Sequence, residues 1–180
     1  METTAKTEQP FVGIEKVETP MMVYTAQGLI WGNLYHSSMI QPSRILLGVT
    51  IPEYLPLEQA QVIFMEPNYV AKPIKHRQIL IPTSTILGYH LMPPHKDVLD
   101  YDPTEPNRVM APLTFYTGAI KIQGNIRISE VTDAKTTLEV MKAAYLTMYQ
   151  VEISHLTNTQ MAPIRAGQAY FRVNSLLIAL

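Results

Sequence analysis

The sequence predicts a mainly β protein made of two related units, each a small five-stranded barrel. Three observations carry that prediction. The chain echoes itself: Tyr24-Thr25 and then Ile30-Trp31-Gly32-Asn33 return as Tyr116-Thr117 and then Ile122-Gln123-Gly124-Asn125. Tyr54-Leu55 answers Tyr145-Leu146, Gln61-Val62 answers Gln150-Val151, and Pro73-Ile74 answers Pro163-Ile164. Constant order with slight drift in spacing marks two copies of one folded unit of roughly ninety residues. The apolar runs are strand-sized, rich in β-branched and aromatic residues, and punctuated by Gly, Pro and Asn. Finally, 47% of the residues are hydrophobic and only 16% charged, where soluble domains carry about a quarter. A shortage of charge implies surface hidden against the other copy or against a partner.

The organisation that follows is an N-terminal leader (residues 1–19), a first unit (20–92), a Pro-rich acidic linker (93–112) and a second unit (113–180). The leader is polar at first and then apolar at Phe11-Val12-Gly13-Ile14, a segment suited to docking on a sheet edge or a neighbour. Met22 to Thr25, a Gly28-containing turn and Leu29 to His36 read as a hairpin. Gly32 within its second run predicts a bend, because a glycine there relieves the crowding where a strand curls. Gly124 occupies the same place in the second unit. Residues 37–57 are less regular: Pro42-Ser43 before Arg44 favours a short helical turn, and Pro52 and Pro56 oppose a long element. Gln59 to Glu66 is a strand ended by Pro67-Asn68. Lys75 to Ile81 and Ile86 to Leu91 form two more, separated by a break at Pro82-Thr83-Ser84.

The linker holds five prolines together with Asp97, Asp100, Asp102 and Glu105, which predicts a semi-rigid, solvated connection. In the second unit Asp133 to Tyr145 lacks proline and predicts a helix capped by Asp133. The closing strands are Gly167 to Arg172 and Ser175 to Leu180. An uncharged apolar final strand is expected to be paired and covered.

This pattern resembles the Sm-like and SH3-like small barrels. In the Sm-like family a first hairpin leads into a bent, glycine-bearing strand, and the chain closes with an apolar strand, a tight turn and a short apolar strand. Val23 to Leu34 resembles the first feature; Ile79 to Leu87 and Tyr170 to Leu176 resemble the second. The resemblance implies an oligomerising habit, because Sm-like barrels join edge to edge through their strands. The family's RNA-contacting turn pairs arginine with glycine. Arg172 matches the arginine, but Val173 replaces the glycine and Pro82 replaces the arginine in the first copy. The aspartate and asparagine that the family places after the bent strand are not evident at Tyr35 to Met39.

The net charge is -1, from 14 basic and 15 acidic residues, so no global field draws in a phosphate backbone. With no cysteine, disulfides, thiolate metal sites and cysteine nucleophiles are excluded. No stretch is long and apolar enough to span a membrane, and the N-terminus lacks the apolar core of a secretory signal, so a cytoplasmic location is expected. The histidines, His36, His76, His90, His95 and His155, have no spacing that enforces a metal site. His90 and His95 flank Pro93-Pro94 and can meet in a turn. The acidic linker lacks the glycine and terminal glutamate of a calcium loop. No phosphate loop, nucleophile elbow or Ser-His-Asp order is present. No cofactor is expected.

Two readings of function follow. The first is a non-catalytic structural or assembly protein, a homo-oligomer or a subunit of a larger complex, acting through barrel edge strands. Methionine tolerates adaptable contacts, so Met21, Met22 and Met161, near the expected edges, are its interface candidates. The alternative is an Sm-like RNA or single-stranded nucleic-acid binder using Lys75, Arg77, Arg165 and Arg172, with Lys72, His76 and Tyr69 beside the first pair. A third, enzymatic reading would need a pocket between the units holding two or more histidines.

Overall fold

The computed structural model describes residues 15–48, 50–66, 69–70, 72–95, 98–158 and 161–179. Phe11 to Ile14 of the leader, the Pro67-Asn68 turn and Asp97 lie outside them. The protein is mainly β, with 57% in strands and, among the described residues, one α-helix. The strands are β1 (Lys16–Thr25), β2 (Gly28–Ser37), β3 (Tyr54–Glu66), β4 (Tyr69–Val70), β5 (Ile74–Lys75), β6 (Gln78–Pro82), β7 (Ile86–Leu91), β8 (Arg108–Thr117), β9 (Ile120–Ser129), β10 (Tyr145–His155), β11 (Ile164–Arg172) and β12 (Leu177–Ala179). All pairings are antiparallel, and the order is β12-β8-β9-β10-β11-β7-β1-β2-β3, with β4, β5 and β6 all pairing with β3. Two separately closed five-stranded barrels were expected; the observed sheet is continuous and open. The continuity comes from one long-range contact, β11 against β7.

Within this sheet the two halves use matching registers. Met21 faces Gly32 as Leu113 faces Gly124. Tyr54 faces Pro82 as Tyr145 faces Arg172. Val62 faces Ile74 as Ile153 faces Ile164. In each half the strand after the hairpin then pairs with a fourth strand, and a single 3-10 turn, Thr83–Thr85 or Val173–Ser175, leads into the fifth.

Gly32 and Gly124 lie opposite register shifts, between Trp31 and Asn33 on β2 and between Tyr149 and Glu152 on β10. A Cβ on Gly32 would sit 2.8 Å from the Glu58 carbonyl oxygen and 3.0 Å from Ala60 Cα; on Gly124 it would sit 3.0 Å from the Tyr149 carbonyl oxygen. The partner strand bulges at the same place through a left-handed glutamine, Gln59 (φ 47°) or Gln150 (φ 51°). Gln150 therefore corresponds to Gln59, not to Gln61 as the sequence echo is most simply aligned. A glutamine held in this region is uncommon, and nothing in its residue type announces it.

Other departures have local causes. β3 starts at Tyr54 and includes Pro56, which faces Leu80 of β6. Its pairing with β2 begins only at Glu58, so a residue without an N–H is tolerated on that free side. The helix α1 spans Ala134–Val140, and the Asp133 carboxylate accepts from Thr136 N at 2.7 Å as its cap. It stops short of the expected Tyr145 because Tyr145 is buried at the start of β10. β8 begins at Arg108, so the last five residues assigned to the linker belong to the sheet.

The linker itself is fastened to the second half. Arg127 binds Glu105 at 2.6 Å, donates to the Asp102 carbonyl at 3.0 Å and stacks over Tyr101. Tyr149 donates to Asp100. A proline-stiffened segment loses little entropy when its side chains find partners, so the linker is ordered here rather than solvated throughout.

Two apolar cores lie beneath the sheet. Each borrows from the other half: the first core includes Tyr145 and Tyr170, and the second includes Tyr24 and Leu29, with Met22 and Trp31 packed against it.

Candidate functional site: the strand junction and the two open edges

The β11–β7 junction begins with residue pairing. Tyr170 faces Tyr89 and Phe171 faces Gly88. The Tyr89 and Tyr170 rings stack with centroids 5.0 Å apart, and Tyr145 meets Tyr89 edge-on at 5.6 Å. All three are buried, and the Tyr89 hydroxyl donates to the Ser43 carbonyl at 2.8 Å. Gly88 is dictated by Phe171: a Cβ there would run into the Phe171 ring and come within 2.8 Å of the Tyr170 carbonyl oxygen.

Arg172 closes the end of the junction. Its guanidinium donates to the Thr83 carbonyl at 2.6 Å, the Ile86 carbonyl at 3.0 Å and the Tyr145 hydroxyl at 3.1 Å. A fork of rigid donors suits this task, because it ties a strand of one half to the 3-10 turn of the other.

Beside the junction lies a cavity of about 300 Å³ whose wall includes His90, His95, Pro93, Leu99, Arg165 and Gln168. It brings together two histidines from the two sides of the Pro93-Pro94 turn. Burial lowers His90 to about 4, so its imidazole is neutral near pH 7. Its Nδ1 lies 3.2 Å from the Tyr24 hydroxyl, which burial raises well above its usual range. Among the described residues the wall holds two histidines, an arginine and a glutamine, and no carboxylate, serine or threonine.

His90 gives an acid-sensitive element to the fold. Its folded pKa lies below the ordinary 6.5 of an unfolded histidine, so the unfolded chain binds the extra proton and stability is lost as pH falls from about 6.5 toward 4. Between pH 7 and pH 5 the expected loss is about 2 kcal/mol. Urea midpoints across that range test it, and His90→Gln should flatten the dependence; an equally steep profile in the variant would show that another group is responsible.

The nucleic-acid candidates are dispersed. Lys75 and Arg77 are exposed with Lys72 and His76 on the interrupted β5–β6 edge. Arg165 is exposed and pairs with Glu152 at 3.0 Å. Arg172 stands at the other end of β11, about 23 Å along an extended strand, with its donors committed to the junction. A surface that gathers all four cations does not form.

The methionine candidates also move inward. Met21 is fully buried in the first core, and Met22 and Met161 are packed against the second. Met21 alternates to the inner face of a central strand, which removes it from any external surface. Met22, on a strand of the first half, packs against the core of the second.

Sequence reasoning missed the two outer edges. Among the described residues β6 pairs only with β3, and β12 only with β8. The final strand is thus paired on one side, and Leu177 is 74% exposed. Leu80 of β6 is 56% exposed. The signal available in the sequence was the absence of charge from both segments, Ile79 to Pro82 and Leu176 to Ala179.

No family model, curated protein or solved structure matches the chain.

Proposed function

We propose that the chain is a non-catalytic assembly protein that joins other protein molecules through the two open edges of its sheet. One observation carries the reading. Among the described residues β6 and β12 each pair on one side only, and the strands themselves are uncharged with exposed apolar side chains, although natural edges are usually blunted by charge, proline or a bulge. Here Pro82 closes only the last position of β6.

In this reading the two halves are copies of one Sm-like or SH3-like unit with spatial order fifth, first, second, third, fourth strand. Each unit curls as a barrel that opens between its fourth and fifth strands. The matching registers and the paired bulges at Gln59 and Gln150 support that duplication. The strands β6 and β12 hold no charge of their own, and Lys75 and Arg77 lie beside β6 without Arg165 or Arg172 near them, which favours protein contact over nucleic acid, because single-strand binding needs cations along the groove.

Light scattering after size exclusion tests the proposal. A mass above that of one chain at micromolar concentration is expected, or co-purification as a stoichiometric subunit. A single-chain mass with no protein partner recovered would overturn it. No described helix is long and apolar enough to cross a membrane.

A further inference from the structure

The junction inside the chain also specifies what the outer edges take. β11, the fourth strand of the second half, pairs with β7, the fifth strand of the first. Among the described residues the elements left over are β6, the fourth strand of the first half, and β12, the fifth strand of the second. They are the two counterparts of the strands already joined, and one lies at each end of the sheet.

We propose that β6 of one molecule pairs antiparallel with β12 of a second copy, in the register of the internal junction, so that chains add head to tail. The inference rests on the assembly reading above and names its partner.

Counting from the 3-10 turns fixes the register. Tyr170 and Phe171 stand two and one residues before Arg172, as Leu80 and Ile81 stand before Pro82. Gly88 and Tyr89 are the third and fourth residues of their strand region counted from Ile86, as Ile178 and Ala179 are counted from Leu176. Leu80 therefore faces Ala179 of the second copy, and Ile81 faces its Ile178.

The side chains exchange size in a compensating way. Inside the chain a large Phe171 opposes Gly88; at the outer contact two mid-sized isoleucines oppose one another. The stacked tyrosine pair becomes Leu80 against Ala179. Pro82 takes the place of Arg172, so the outer contact lacks the guanidinium fork and meets Leu177 as one apolar surface against another. The outer contact should accordingly be weaker than the inner one and insensitive to salt, since no charge lies in it.

A pairing between unlike edges has a decisive test. Leu80→Lys blocks β6 and leaves β12 free; Ala179→Lys blocks β12 and leaves β6 free. Both positions are exposed, so the fold tolerates them. Each variant alone should run as a monomer, and their 1:1 mixture should give a dimer that adds no further chains. The absence of cysteine allows a second measurement: Leu80→Cys mixed with Ala179→Cys should form one mixed disulfide under mild oxidation, and neither should cross-link with itself.

Self-linking of Leu80→Cys would mean like edges pair, and would overturn the head-to-tail arrangement while leaving self-association intact. Oligomers that persist in both Lys variants would do the same. A wild-type monomer in solution overturns the inference outright; recovery of that monomer in a complex with a different protein would leave the broader assembly reading standing.

Discussion

Gly88→Ala should destabilise the protein by about 3 kcal/mol even though alanine is the better strand residue. An added Cβ meets the Phe171 ring, with Cε1 at 2.7 Å, and the Tyr170 carbonyl oxygen at 2.8 Å. Phe171 is fully buried and has no room to turn aside. The backbone oxygen cannot move without breaking the β11–β7 pairing. Strand propensity returns roughly 0.5 to 1 kcal/mol, which the overpacking exceeds. Chemical denaturation measures the loss, and Phe171→Leu on the same chain should recover part of it. Two variants whose costs simply add would show that Gly88 and Phe171 do not share the junction.

Arg172→Met should cost about 3 kcal/mol, mostly because it leaves acceptors behind. Methionine keeps the apolar stem, so the change isolates the guanidinium. The Thr83 and Ile86 carbonyls each lose a charge-assisted donor, and the Tyr145 hydroxyl loses its contact. Arg172→Lys should restore less than half of the loss, because an ammonium on a flexible stem cannot reach both carbonyls with one planar fork. The measurement is again the denaturant midpoint, read with the m-value to confirm cooperative unfolding. Loss of nucleic-acid affinity without loss of stability would return Arg172 to the binding role its charge implies in the sequence.

Arg172 illustrates what the sequence carries and what it does not. Its charge was visible, but its partners are carbonyls 86 and 89 residues away. Main-chain acceptors leave no mark in residue type, so a lone arginine near a turn resembles a ligand contact. The hairpins were legible because their cues are local: alternation, a turn glycine, and a second copy to compare. Gly32 and Gly124 were legible for the same reason. The echo was less secure in the third strand, where the short Gln-Val pair aligned two residues out of step and the bulge glutamines were overlooked. Met21 and Met22 are adjacent on a central strand, and their neighbours are set by pairing with β7 and by the second core. The joining of β11 to β7 was beyond reach, since strand pairing over such a separation depends on ring shapes meeting in three dimensions.

The borrowed tyrosines bear on the order in which the molecule acquires its structure. The first core contains Tyr145 and Tyr170, and both reach the first half only after the hairpin of the second half has been synthesised. Residues 16–91 can form their hairpin early, but one edge of β7 stays unpaired and the core stays incomplete until β11 emerges. The two halves are thus not independent stages on a growing polypeptide. Contacts so distant along the chain must be made late, which slows folding and lengthens the interval in which sheet edges lie unprotected. A cell making this protein should meet the first half with its core incomplete until the residues through Tyr170 have emerged.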